Sequence, residues 1–394
     1  MHGTLFQIII MTILLSLLPS PLQGAQQGTE TDEPETGGET PAQESQALDE
    51  AEDPDEEEEK SGFLKKMPKN LLLVPIPTST PTFGTGLILG GAWFYSQTEE
   101  QKESQPASFT GGAAGYTSNE SWVAGVMQQN YWKEDTWRFT GVAAYMDLKL
   151  DLNVEDAGEE SDSGLDWLVK GPLFQGRISR RIKGDWYMGV TGRYLDITQA
   201  LELDAEDVDY GISSNITAVA VGLNLDYDSR DMPSNAYQGR YLELKALTSF
   251  LSETEGDSYQ SYHARFRAYH PLKDSLVLAW EVNGCARGGD IPLWDTCRLG
   301  LRGFSATSYL GKRSLYAQAE IRWRFYKRWG LVGFAGAGRI YEPILGIGED
   351  DTIPSYGAGI RFMVLESQRI NVRVDYARSQ GGDSAWYLSV TEAF

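Results

Sequence analysis

Cysteine, histidine and long apolar runs are what this 394-residue chain has least of. It has two cysteines, Cys285 and Cys297, and three histidines, His2, His263 and His270. No histidine lies near the cysteine pair in sequence, so no metal site is expected. The chain carries no phosphate-cradling glycine loop and no recognisable catalytic motif. A serine hydrolase needs a Ser–His dyad; His263 instead shares a face with Arg265 and Arg267, which reads as a polar wall. No catalytic residue, cofactor, metal or nucleic-acid partner is therefore expected, and the chain is not expected to be an enzyme.

The one uninterrupted apolar run, Leu5 to Leu18, is followed by Pro19, Pro21, Gly24 and Ala25. Apolar core, helix breaker and small residues are the order of a secretory signal; a short membrane anchor is the alternative. Residues 1–25 are expected to be a signal peptide. No later segment approaches the roughly 20 apolar residues that a spanning helix needs. A membrane location would then require a closed barrel, since backbone groups in lipid can be satisfied no other way. Export also puts Cys285 and Cys297 in an oxidising compartment, where they are expected to pair rather than stay reduced.

Basic residues are missing from Glu30 to Glu59, which holds fifteen acids. Of the formal charge of −22, about −15 sits there. Such a segment cannot bury enough apolar surface to offset its ordering entropy, so 26–62 is expected to be a disordered acidic linker. A solvated linker and an arm for basic partners are both compatible with it. Lys65, Lys66 and Lys69 follow.

From Leu71 onward the pattern has period two. Leu315, Ala317, Ala319, Ile321, Trp323 and Phe325 alternate with Tyr316, Gln318, Glu320, Arg322, Arg324 and Tyr326. Met146, Leu148, Leu150 and Leu152 alternate with Asp147, Lys149 and Asp151. Strict alternation marks strands with two unlike faces, and a membrane barrel turns the apolar one outward. About fifteen clear strands, ending with one near 384–394, are separated alternately by tight turns and by long stretches near 151–165, 201–215, 287–313 and 342–354. Even strand number makes Leu71 to Pro77 the first strand, its prolines suiting a poorly paired edge. The fold class is all-β: a transmembrane antiparallel barrel of about 16 strands over 63–394. The connections near 97–106 and 229–238 are long for the periplasmic side.

Leu299-Gly300-Leu301-Arg302-Gly303-Phe304 lies in the longest loop. It resembles the Arg-Gly-aromatic motif in the sixth extracellular loop of the BamA/TamA (bacterial surface antigen) family. The resemblance covers 215–394 well and 71–214 weakly. It implies that Arg302, Gly303 and Phe304 anchor a loop folded into the barrel. An Arg there needs a carboxylate partner; Glu320 is expected, with Asp375 as a second. Gly336 stands where the family has an Asp, which leaves the usual lock incomplete. Trp386, Leu388, Val390 and the terminal Phe394 resemble the family's C-terminal assembly signal, with Glu392 departing from it. The family's periplasmic POTRA domains have no counterpart in the acidic linker. A Cys285–Cys297 disulfide would rigidify the loop's start. The resemblance implies an outer-membrane protein that assists insertion or translocation of proteins. Its partners would be outer-membrane lipid, unfolded outer-membrane proteins or a separate periplasmic protein. A passive pore and a lipid-trafficking barrel are the alternatives.

Overall fold

The computed structural model describes residues 71–394 apart from 153–164, 206–207, 253–256, 306, 345–350, 367–368 and 380–383. The expected signal peptide, acidic linker and Lys65–Lys69 patch lie outside the described residues. Sixteen antiparallel strands close into one barrel. In order they are β1 Leu71–Thr80, β2 Gly84–Phe94, β3 Phe109–Thr117, β4 Trp122–Trp132, β5 Trp137–Leu152 and β6 Leu165–Lys183. Then come β7 Trp186–Ala205, β8 Val208–Asp228, β9 Gly239–Leu251, β10 Ser258–Lys273 and β11 Leu276–Gly289. The last are β12 Leu310–Tyr326, β13 Trp329–Pro343, β14 Thr352–Leu365, β15 Ile370–Ser379 and β16 Ser384–Val390. A further strand of two residues, Cys297–Arg298, pairs with β12 from within the loop.

Each strand pairs with its chain neighbour, and the ring closes where β1 meets β16. Sixteen strands put Leu71 and the chain's C-terminal end at the same rim. The two connections that looked too long for that rim are ordered. Residues 95–108 hold a short helix, α1 Glu99–Ser104, capped by Thr98 through a reciprocal bond with Gln101. Residues 229–238 tuck under the barrel, with Asn235 and Ala236 buried.

The outer face carries an apolar band between two aromatic girdles. Tyr116, Trp122, Tyr145, Phe174 and Tyr194 mark one edge; Trp93, Trp132, Trp186, Trp323 and Trp329 mark the other. Trp186 to Tyr194 is eight steps, about 26 Å along the strand and ~20 Å once tilted by ~40°. That height suits a lipid-facing belt.

Above this belt the alternation inverts. On β7, Met188, Val190 and Tyr194 point outward, whereas Leu195 and Ile197 are fully buried inside and Asp196 and Thr198 face out. On β8 the outward Val219, Val221 and Leu223 give way to Thr217 and Asn215, with Ile216 inside. Met146, Leu148 and Leu150 are buried in the interior too. The expectation that this set faces lipid is therefore corrected. Their partners Asp147 and Lys149 face out and form ion pairs with Lys170 and Glu120. The reason is solvent: beyond the bilayer the outside is water, so the apolar face turns inward as in a soluble sheet. The same stretch corrects the loop expected near 201–215. β7 and β8 continue as one ladder to Ala205 opposite Val208.

Candidate functional site

The 290–309 connection between β11 and β12 does not stand out from the rim; it folds back into the lumen. Four features hold it. The Cys285–Cys297 disulfide joins its start to β11, with Cα atoms 5.8 Å apart. Closing a span of twelve residues is worth about 3 kcal/mol in the loop-entropy picture. Next, a 3-10 turn, Leu293–Asp295, buries Trp294 and Asp295 completely. Asp295 accepts from Arg193 at 2.6 Å, from the Tyr259 hydroxyl at 2.5 Å and from Arg287 at 3.2 Å. Trp294 joins the inverted apolar layer of Leu148, Trp167, Leu195 and Ile197, so the loop plugs the extended half of the barrel.

The third and fourth holds lie in the Arg-Gly-Phe motif. Arg302 is buried, and its two terminal nitrogens donate to different strands: Nη2 to Glu320 on β12 at 2.8 Å, Nη1 to Asp375 on β15 at 2.9 Å. Its guanidinium lies 3.4 Å from the centre of the Phe334 ring on β13. Its carbonyl accepts from Ser355 on β14. Gly303 N donates to the Tyr387 hydroxyl on β16 at 2.8 Å, and that hydroxyl donates to Phe304 O at 3.3 Å. One tripeptide thus touches β12 to β16 in turn. Gly303 has φ +119°, and a Cβ there would meet the Arg378 backbone at 3.1 Å, so no other residue fits. Phe304 closes the motif edge-on against Tyr309.

The carboxylates are shared. Glu320 also accepts from Arg322 at 2.7 Å; Asp375 also accepts from Arg361 at 2.5 Å and Arg373 at 2.6 Å. Gly336 does not leave a gap. A Cβ on it would come within 2.9 Å of Leu301 Cδ2. The glycine is the floor on which Leu301 sits, and the second carboxylate comes from β15 instead of β13.

Arg265, Arg267 and Arg322 line the interior, together with Glu243, Lys245, Glu281 and Arg373. Arg324 does not: it is exposed at the turn rim, where Nη2 donates to Asp274 O at 3.4 Å. Trp386 faces outward, Leu388 is half-buried and Val390 packs with Ile76 and Ile370. The last strand was expected to reach 394 but stops at Val390, where Thr391 adopts φ +70° and turns the tail inward. Glu392 then pairs with Arg361 at 2.8 Å and accepts from Asn371 at 2.6 Å. Phe394 is buried against Ala236, Tyr269, Val277 and Ala279, with its carbonyl accepting from Arg322 at 2.7 Å. An acid at 392 is needed because the tail enters a wall of arginines.

The seam is the weak line of the ring. β1 pairs with β2 along its whole length, but with β16, among the described residues, only at Ser79 opposite Leu388. Pro75 and Pro77 remove two N–H donors from β1. The motif's contacts to β16 and β15 therefore sit on the seam strand and its neighbour, where few ladder bonds hold the wall together. Sequence reasoning missed Asp295, Ser355 and Tyr387. Asp295 had a signal: the only acid in the segment between the two cysteines besides Asp290, beside a tryptophan.

No family model and no curated protein matches the sequence. The fold has solved counterparts. BamA from Haemophilus ducreyi lacking POTRA domains 1–3 superposes with a TM-score of 0.56 at 12% identity, covering 83% of this chain and 71% of that one. The protein has the BamA barrel fold. CdiB from Acinetobacter baumannii superposes with a TM-score of 0.54 at 11% identity, over 82% of this chain and 60% of the CdiB chain. Within this BamA-type barrel, the described residues all belong to the strands, their connections and the inward C-terminal tail.

Proposed function

We propose that this barrel resides in the bacterial outer membrane and assists the insertion or translocation of proteins there. The observation that carries the reading is the seam: a closed wall whose two sides, among the described residues, are in ladder register only at Ser79 opposite Leu388, with β12 to β16 clamped from inside by Arg302, Gly303 and Tyr387. A ring with one under-bonded joint can part there while the clamp keeps β12 to β16 together. A parted seam offers unpaired strand edges, which template a strand of an incoming chain. The likeness to BamA and CdiB barrels supports the same reading. No bond-making step is part of it; His263 bonds Asn283 in a wall of ion pairs.

A passive pore is the second reading, favoured by a cavity of about 590 Å³ that reaches from Thr82 to Ser234. The deciding experiment places the refolded barrel in liposomes and times the folding of an unrelated outer-membrane barrel added unfolded. Acceleration that is lost in Arg302→Ala supports the insertase. No acceleration from correctly folded barrel, together with steady single-channel conductance, overturns it in favour of the pore.

A further inference from the structure

The lumen has two unlike walls. On β1 to β5 an apolar stretch of Ile76, Ile88, Val123, Met127 and Val142 lines the central cavity, bordered towards the turn rim by Gln129, Tyr131, Arg138 and Thr140. Further round the ring, Arg177, Lys245, Arg265 and Arg267 line the same cavity. These four cations share three acids. Arg177 lies 3.3 Å from both Asp226 and Glu243, Lys245 is 2.6 Å from Glu243, and Arg267 is 2.6 Å from Glu281. Arg265 reaches Glu243 and Glu281 only at 3.8 and 3.7 Å, and its buried Nε makes no hydrogen bond. An unsatisfied buried guanidinium nitrogen is costly, so a complementary anion is the group this wall lacks.

The cavity, about 590 Å³, is the size of ligand sites. It also reaches the seam, since Ser79 and Leu388 are among its lining residues. An apolar wall beside a joint facing lipid, with surplus positive charge across the lumen, fits one chemistry. We infer that the lumen binds an anionic membrane lipid, its acyl chain along β1 to β5 and its headgroup on Arg265 and its neighbours. This holds whether the barrel is an insertase or a pore, and its test reads neither activity.

The alternation of strand faces supplies the readout. Full-length barrel in phosphatidylcholine nanodiscs is labelled with dodecyl phosphate carrying a photoreactive diazirine at the chain end, and the labelled residues are mapped. Inward Ile88 and Met127 are expected to be labelled, as well as outward Leu89 and Val126, which face bulk lipid. Unlabelled dodecyl phosphate should compete for the inward sites, and dodecanol or inorganic phosphate at the same concentration should not. Arg265→Gln with Arg267→Gln should cut inward labelling about tenfold, the loss of charge-assisted bonds, and leave Leu89 and Val126 unchanged. Labelling confined to Leu89 and Val126 overturns the inference. So does inward labelling that dodecanol competes equally well, which makes the site merely apolar, or that inorganic phosphate competes, which makes it a plain anion site. If the double variant does not fold, the competition arms on the unaltered protein decide alone.

Discussion

Replacing Arg302 by alanine removes the one side chain among the described residues that hydrogen-bonds both Glu320 on β12 and Asp375 on β15. Breaking a buried ion pair by deleting one partner costs about 3–5 kcal/mol, mostly because a charge is left behind. Here neither carboxylate is left alone: Glu320 keeps Arg322 at 2.7 Å, and Asp375 keeps Arg361 at 2.5 Å and Arg373 at 2.6 Å. The lower end is therefore expected, about 3 kcal/mol, including the stacking on Phe334. That is roughly a hundredfold in the folding equilibrium. Arg302→Lys should recover less than half of it, because one ammonium cannot span two carboxylates as a planar fork does. Urea titration of the barrel in vesicles, followed by its folded band on unheated gels, measures both variants. A loss below about 0.5 kcal/mol for the alanine variant, the level of an ordinary surface substitution, would refute the reasoning.

Four further outcomes follow from the same geometry. Removing the disulfide by Cys285→Ser with Cys297→Ser should cost about 3 kcal/mol and open the 290–309 loop to protease in intact vesicles. Gly336→Asp, which introduces the residue usual in the resembled family, should destabilise by about 1–3 kcal/mol through collision with the Ala317 carbonyl oxygen, Gln318 and Leu301, so that adding Leu301→Ala should return only part of that. Phe394→Ala should cost about 3 kcal/mol or more by emptying the pocket between Tyr269 and Val277, measured in the same titration. Val221→Arg in the lipid belt should cost about 2–4 kcal/mol, whereas Thr217→Arg on the same face of β8 should be nearly neutral, because it lies above the belt.

The period-two pattern made the strands legible, down to the sixteenth required by parity at Leu71 to Pro77. Its phase was not legible. Alternation reports two unlike faces and not which one meets water, so Leu148 and Leu150 read like Ile321 and Trp323 although they point the opposite way. The loop motif was legible through its resemblance to a family's Arg-Gly-aromatic loop, and the alternation then supplied Glu320 as the carboxylate that an inward arginine needs. The role of Gly336 was not, since it depends on how close Leu301 comes from a distant segment. The inward turn at Thr391 was hidden for the same reason. Only Glu392, an acid in an otherwise apolar ending, hinted that the tail meets the arginines at 322 and 361.

The central claim is that the β1–β16 seam opens to do the work, and a lock across it tests this most directly. Ser79 and Leu388 face each other in register, so Ser79→Cys with Leu388→Cys can be oxidised to tie the seam shut. In the liposome insertion assay, the oxidised variant should lose its acceleration of client folding and regain it on mild reduction, with the unaltered barrel, treated identically, as the control for Cys285–Cys297. Undiminished acceleration by the fully oxidised, folded variant would contradict the account.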